Sequence, residues 1–260
     1  MTTPLDSARA AMDAAPDDDA ARLAFYARIA DGELLLLLEE EARDDRLSPR
    51  VFPLDSGPVV LLFDSEERLA AFAGAAVPYA ALPGRVLARM LAGQGLGAGL
   101  NLGVAPSSAL LPPEAMDWLA GMVAEAPREI TARPRALHPP EGLPEALLVE
   151  LDGRLARAAG LAEAAWLARV EYEDGTEGHL LAFAGAYEGT GRTLAQAVGE
   201  AARFCGLDDG TLDVAFPSAH DPLLERIARV GLRFDLPAPP AAPAPEPPPG
   251  HDPRKPPKLR

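Results

Sequence analysis

Ser218, His220 and Asp221 are the residue types of a nucleophile, a base and the acid that orients it, and they stand within four positions of one another. A working triad is assembled from distant segments so that its side chains meet at one reacting atom. Neighbours in one loop rarely do. Helix capping by Ser218 or Asp221, just ahead of Pro222, is the better account of this run. Gly189-Thr190-Gly191-Arg192-Thr193 precedes a predicted helix, where free amides and Arg192 could bind an anion. A flexible turn with Thr193 as the cap accounts for it equally simply. Gly93, Gly95, Gly97 and Gly99 suggest a dinucleotide loop, but Ala98, Leu100 and Leu102 stand where a G-x-G-x-x-G pattern needs glycine, and no helix follows. These glycines are expected in a strand packed tightly against neighbouring backbone.

Paired carboxylates can do acid–base work or hold a hard cation. The acidic runs Glu39-Glu40-Glu41, Asp44-Asp45 and Asp208-Asp209 lack the alternation of a calcium loop and read as solvated ends of elements. His138, His179, His220 and His251 are scattered, and Cys205 is the only cysteine, so a thiolate zinc cluster and an intramolecular disulfide are both excluded. The only two lysines, Lys255 and Lys258, lie near the C-terminus, which leaves no Schiff-base or P-loop lysine for the rest of the chain. No catalytic, cofactor-binding or metal-ligating residue is assigned, no cofactor is expected, and the reading leans away from an enzyme.

The elements that would position any such residues read as α/β. Asp17 to Asp19 after Pro16 cap a helix stopped by Gly32, and Leu34 to Leu38 is an apolar run of strand length. Val51–Leu54 and Val59–Phe63 form a hairpin, Asp64 caps a helix over 65–72 with Glu67 in capping-box position, and Gly84–Leu91 is a further helix. Pro112 and Pro113 open a helix with Met116, Leu119, Ala120 and Val123 on one face. After a proline-rich stretch over 126–140, Leu143–Ala158 is helical with Leu148, Leu151 and Leu155 inward. Trp166 to Tyr172 and Gly178 to Ala186 flank Asp174-Gly175 as a hairpin, with core packing the default for Trp166 and Phe183. A helix carrying Leu194, Val198, Ala201 and Phe204 follows, then a strand over 212–216, a helix from Pro222, and a strand over 232–236. Both halves thus share the order hairpin, helix, strand, helix, strand, a weak hint of a repeated architecture.

Fold class is therefore α/β (α+β): two consecutive mixed-sheet domains, 1–126 and 127–236, with helices on the sheets, and a tail over 237–260. That tail holds eleven of the 28 prolines and is expected to be disordered. Formal net charge is −15; the tail carries +2, which leaves −17 on the body, a field that repels phosphate backbones and keeps a protein soluble. With no basic leader before an apolar stretch, and no apolar run near the roughly 20 residues of a membrane span, a cytoplasmic location is expected, with no nucleic-acid or membrane partner.

The order of segments resembles the SseB-like family, proteins with an N-terminal and a C-terminal SseB domain. The resemblance rests on the leucine strand with Glu39–Glu41, the helix start Pro83-Gly84-Arg85, Gly95–Asn101 followed by Leu110-Leu-Pro-Pro-Glu114, and Ala165–Val170 before a glycine-containing hairpin. Leu102 stands where the family usually has proline. The resemblance implies a bacterial cytoplasmic protein linked to enhanced serine sensitivity, and it supplies no catalytic residues. The favoured function is a non-enzymatic adaptor or regulator whose tail offers Pro253, Arg254 and Pro256 to an unidentified protein partner. The alternatives are an amino-acid-sensing module with a small-molecule ligand, and a carboxylate-based hydrolase with its site between the domains.

Overall fold

The computed structural model describes residues 2–42, 47–124, 134–207 and 211–237. The expected boundary at 126/127, the acidic pairs Asp44-Asp45 and Asp208-Asp209, His251 and the tail residues Pro253, Arg254 and Pro256 lie outside the described residues.

Local chemistry opens the chain with a helix the sequence reading does not single out. The Thr3 hydroxyl accepts the Asp6 amide while the Asp6 carboxylate accepts the Thr3 amide, a reciprocal cap that starts α1 (Pro4–Ala14). Asp18 caps α2 (Asp19–Asp31), which stops at Gly32. The leucine run becomes β1 (Glu33–Leu37), buried at four of its five positions. The expected hairpin is β2 (Val51–Leu54) with β3 (Gly57–Phe63), paired Leu54 to Gly57 across a two-residue turn. After it come α3 (Glu66–Ala73), β4 (Tyr79–Pro83), α4 (Gly84–Leu91), β5 (Gly97–Leu100), β6 (Ala109–Leu111) and α5 (Pro113–Ala124). The second half holds β7 (Pro134–His138), α6 (Glu145–Arg157), β8 (Ala164–Tyr172), β9 (Glu177–Ala184), α7 (Gly191–Phe204), β10 (Leu212–Ala215), α8 (Pro222–Ala228) and β11 (Leu232–Asp235).

Two mixed sheets result. The first runs β4-β1-β3-β5-β6, with β2 also on β3 and with β3 and β5 parallel. The second runs β10-β9-β8-β11, with β7 also on β8 and with β9 and β10 parallel. The shared element order conceals different wiring. After the first hairpin the next strand, β4, crosses to pair β1, whereas after β8–β9 the next strand, β10, stays beside β9.

Apolar side chains alternate across both sheets, so each face acquires its own core. Leu34, Leu36, Val60, Leu62 and Leu100 face α2, α4 and α5, and Leu61 and Phe63 face α3. In the second sheet Leu167, Leu181 and Phe183 face α6 and α7, while Val170, Leu180 and Tyr172 face α8. Phe204 at the end of α7 is buried in the first sheet's core. The two helical layers therefore pack on each other between the sheets, and that one ring contributes about 1.5–3 kcal/mol to holding them together.

Glycines permit two close approaches. A Cβ on Gly84 would stand 1.8 Å from the Ile29 carbonyl oxygen, so α4 can meet α2 at this distance only without a side chain. On Gly97 it would stand 2.5 Å from the Leu111 carbonyl oxygen, and on Gly99 it would meet Leu61 and Leu102. Gly97 and Gly99 thus lie in a packed strand, as expected, whereas Gly93 and Gly95 precede it in a turn at φ 71° and 65° with open space where a Cβ would stand.

Candidate functional site

Two polar clusters and one apolar groove gather residues from distant parts of the chain. The first cluster sits at the carboxyl ends of the parallel pair β3–β5, the edge where open α/β sheets commonly receive ligands. Asp64 follows β3 and Asn101 follows β5, the latter in a left-handed conformation at φ 46° that asparagine tolerates better than most residues. Asn101 is fully buried. Its Oδ1 accepts the Asp64 amide at 3.2 Å and its Nδ2 donates to the buried Ser107 hydroxyl at 2.9 Å. Arg68, on the first turn of α3, donates from Nη1 to Asp64 Oδ1 at 2.7 Å and from Nη2 to Asp6 Oδ2. The Ser107 amide donates to Asp6 Oδ1 at 3.2 Å, and the Thr3 hydroxyl donates to Asp64 Oδ2 at 2.8 Å. Burial pulls the Asp6 carboxyl upward, but the hydrogen bonds from Arg68, Ser107 and Thr3 outweigh it and hold the group far below the usual carboxylate range. Burial works against the Arg68 charge, while Asp6 and Asp64 raise its pKa on balance.

This geometry corrects one sequence expectation. The cap of α3 is Ser65, whose hydroxyl accepts the Arg68 amide at 3.3 Å, not Asp64. A serine one residue later serves the cap, which frees the Asp64 carboxylate for the guanidinium.

The second cluster lies between the helical layers. Arg154 of α6, with 4% of its side chain exposed, reaches three carboxylates: Glu150 Oε1 at 2.9 Å, Glu200 Oε2 at 3.1 Å and Asp31 Oδ2 at 3.0 Å. Glu200 on α7 is fully buried and also accepts from Gln196 at 3.0 Å and from Arg85 of α4 at 3.2 Å. Arg85 binds Asp31 at 2.6 Å, Arg157 joins Asp31 at 3.4 Å, and Arg28 reaches Glu150 at 3.5 Å. Beside this cluster, Gln196 Nε2 and Arg203 Nε donate to the Val123 and Met122 carbonyls, satisfying orphan acceptors at the end of α5. Charged groups from separate segments do converge here. Sequence reasoning singled out only the acidic runs, as solvated ends of elements; Asp6, Asp31, Arg68, Glu150, Arg154 and Glu200 lie outside those runs and pair in the interior. What they converge on is one another, carboxylate against guanidinium.

The other expected candidates resolve locally. Asp221 caps α8 by accepting the Leu223 amide at 2.9 Å, and Ser218 gives its carbonyl to the Asp221 amide. Thr190, not Thr193, stands at the start of α7, and its hydroxyl donates to the Leu161 and Tyr187 carbonyls. The Thr190 side chain thus ties the glycine turn to the chain around it, and no side chain caps the first amides of α7. His138 Nε2 lies 3.1 Å from Glu171 Oε1, and His179 Nε2 lies 3.0 Å from the Glu141 carbonyl. Glu39, Glu40 and Glu41 are exposed. Trp166 and Phe183 stand on opposite faces: Phe183 is buried and stacks on Phe216, while Trp166 is half-buried under Arg233. Cys205 is a thiol whose pKa burial, aided by Glu150, pushes up to about 11. Among the described residues no group of three or more His, Cys, Asp or Glu could hold a metal ion.

Sequence reasoning missed the buried Tyr172–Asp213 pair, whose hydroxyl donates to the carboxylate at 2.5 Å; burial raises both groups above their ordinary values. It also missed the groove. β7 and β11 share one side of β8, pairing 169–172 and 164–167, and the seam where their ends meet opens a hollow of about 380 Å³ lined by Pro140, Leu143, Leu148, Val230 and Leu232. Leu232 remains 40% exposed there. Among the described residues no helix is long and apolar enough to cross a membrane.

Comparison with curated proteins and with solved structures finds no significant match. Residues 8–118, which hold β1 through β6, the packed glycine strand and most of α5, match the model of the SseB protein N-terminal domain, and this part of the chain is similar to that family.

Proposed function

We propose that the protein is a non-enzymatic binding protein, an adaptor or regulator that presents its second sheet to a partner protein. The observation that carries this reading is the seam groove: an apolar hollow with a half-exposed leucine, on a body whose converging charges are paired internally. The groove suits an apolar segment of a partner that brings little charge. The tail residues Pro253, Arg254 and Pro256 supply a second contact in this proposal, and a cytoplasmic location and the serine-sensitivity link implied by the family complete it.

The test is quantitative affinity purification from the native host with wild-type protein, Leu232→Glu, and Pro253→Ala/Pro256→Ala. A stoichiometric partner recovered by wild type and lost with Leu232→Glu, while the variant's thermal unfolding is unchanged, is the expected result. A partner retained in full by Leu232→Glu would refute the groove, and loss only in the tail variant would assign the contact to the tail alone. Growth of a deletion strain on excess serine tests the family link separately.

A further inference from the structure

The Asp6 carboxylate is held as a protein holds a ligand. Its two oxygens take a guanidinium from Arg68, a backbone amide from Ser107 and a backbone amide from Thr3, in a setting where Asp6 itself is 3% exposed. Two of these three groups, the Arg68 guanidinium and the Ser107 amide, come from a separate stretch of chain. Asp64 and Asn101 follow β3 and β5, Arg68 stands on α3 and Ser107 in the loop before β6, and the four are cross-linked without any help from α1: Asn101 fixes the Asp64 amide and the Ser107 hydroxyl, and Asp64 fixes Arg68. The family match begins at residue 8, so it contains all four of these residues and excludes both Thr3 and Asp6. The gripping residues thus lie within the matched stretch, and the gripped carboxylate stands on the first turn of α1, two residues before that stretch begins. The place is also the edge at which parallel strands in such sheets present ligand sites.

We propose that the carboxyl edge of β3–β5 is a binding site for a small carboxylate, which this chain fills with its own Asp6. Arg68 supplies the charge and the Ser107 amide the direction, a pairing of guanidinium and backbone N–H that matches the two oxygens of a carboxylate better than a spherical anion. Asp64 keeps the guanidinium plane in place and, by adding negative charge beside it, discourages anions that would carry more than one charge. The site is therefore selective for a monocarboxylate over phosphate or sulfate.

The experiment opens the site and offers it an external occupant. Asp6→Ala in the full chain removes the internal carboxylate and leaves the grip intact. Thermal unfolding is followed in sodium acetate and in sodium chloride at equal ionic strength, up to 100 mM of each. The proposal predicts that acetate raises the Asp6→Ala midpoint saturably, by about 3–5 °C over chloride. It predicts no such difference for wild type, where the site is full, and none for Asp6→Ala/Arg68→Met. Equal midpoints of Asp6→Ala in the two salts, or an acetate effect that survives the loss of Arg68, would overturn it. Should Asp6→Ala fail to fold in chloride, refolding yield replaces the midpoint: recovery in acetate supports the site, and equal failure in both salts refutes it. Sodium sulfate at matched ionic strength tests the selectivity, and a rise as large as that from acetate would contradict a carboxylate site.

Discussion

Replacing Arg154 by methionine is the perturbation that bears most heavily on the seam between the helical layers. Methionine fills much of the guanidinium stem's volume and keeps the packing near Phe204, so the change is chiefly one of charge. The structure gives the consequence residue by residue. Asp31 retains Arg85 at 2.6 Å and Arg157 at 3.4 Å, and Glu200 retains Arg85 at 3.2 Å and Gln196 at 3.0 Å. Among the described residues Glu150, 13% exposed, keeps only Arg28 at 3.5 Å. Breaking a buried pair by removing one partner costs about 3–5 kcal/mol, and because two of the three carboxylates stay partnered the lower end applies, about 3 kcal/mol. At about 2–4 °C per kcal/mol for a chain of this size, the midpoint should fall by about 6–12 °C. Differential scanning calorimetry with urea titration measures both quantities. The double variant Arg154→Met/Glu150→Gln removes the orphaned charge and should recover about 1 kcal/mol or more, so the two changes should be non-additive. A midpoint within about 1 °C of wild type, or strict additivity, would show that the cluster contributes little and that apolar contacts such as Phe204 hold the layers alone.

Three further outcomes follow from the packing and the buried acids. Gly84→Ala drives a methyl group into the Ile29 carbonyl and should cost about 2–4 kcal/mol, read as a loss of urea midpoint; a change below about 0.5 kcal/mol would mean that α2 and α4 do not approach as described. Burial raises the folded Asp213 pKa above its ordinary 3.8, so the stability linked to this carboxyl is fully present below the unfolded value and is lost as pH rises through the folded one. Asp213→Asn keeps an acceptor for Tyr172 and cannot ionise, so its midpoint relative to wild type should climb as pH rises from the ordinary carboxylate range; a flat or falling difference contradicts the assignment. Cys205, with its pKa pushed up to about 11 from the ordinary 9.0, should be alkylated by iodoacetamide at pH 8 about a hundredfold more slowly in the native protein than in urea, and equal rates would show that the thiol is open to solvent.

The fold was legible wherever a cap or an alternation marked it. Asp18 and Gly32 bracket α2, Asp221 and Pro222 open α8, the face of Met116, Leu119, Ala120 and Val123 is buried as its spacing implies, and Asp174-Gly175 turns β8 into β9. Short and proline-flanked pieces were not. β6 has three residues, too few for a period to show, and β7 begins at Pro134 and is followed by Pro139 and Pro140, so composition masks it. In α6 Leu147 is fully buried and Leu148 only in part, a one-position rotation that a run of adjacent leucines cannot define. α1 escaped because its reciprocal cap uses aspartate where glutamate or glutamine is the usual signal.

The polar clusters were less legible still, because each is closed by tertiary pairing, across 37 to 101 positions of chain in the first and 46 to 126 in the second. One signal was available: Gln196, Glu200 and Phe204 recur every fourth residue, and a stripe that ends in phenylalanine faces a neighbour rather than solvent. The Asp6–Arg68 contact had no such marker, since nothing local distinguishes a gripped aspartate from one in a solvated first turn.

The claim that the body's charges are internal ties while recognition runs through the apolar seam is met most directly by hydrogen–deuterium exchange of the protein alone and bound to the partner recovered by affinity purification. Protection on binding should centre on residues 140–148 and 230–232. Protection confined to the helices around Arg154, or spread evenly with the seam unchanged, would contradict it.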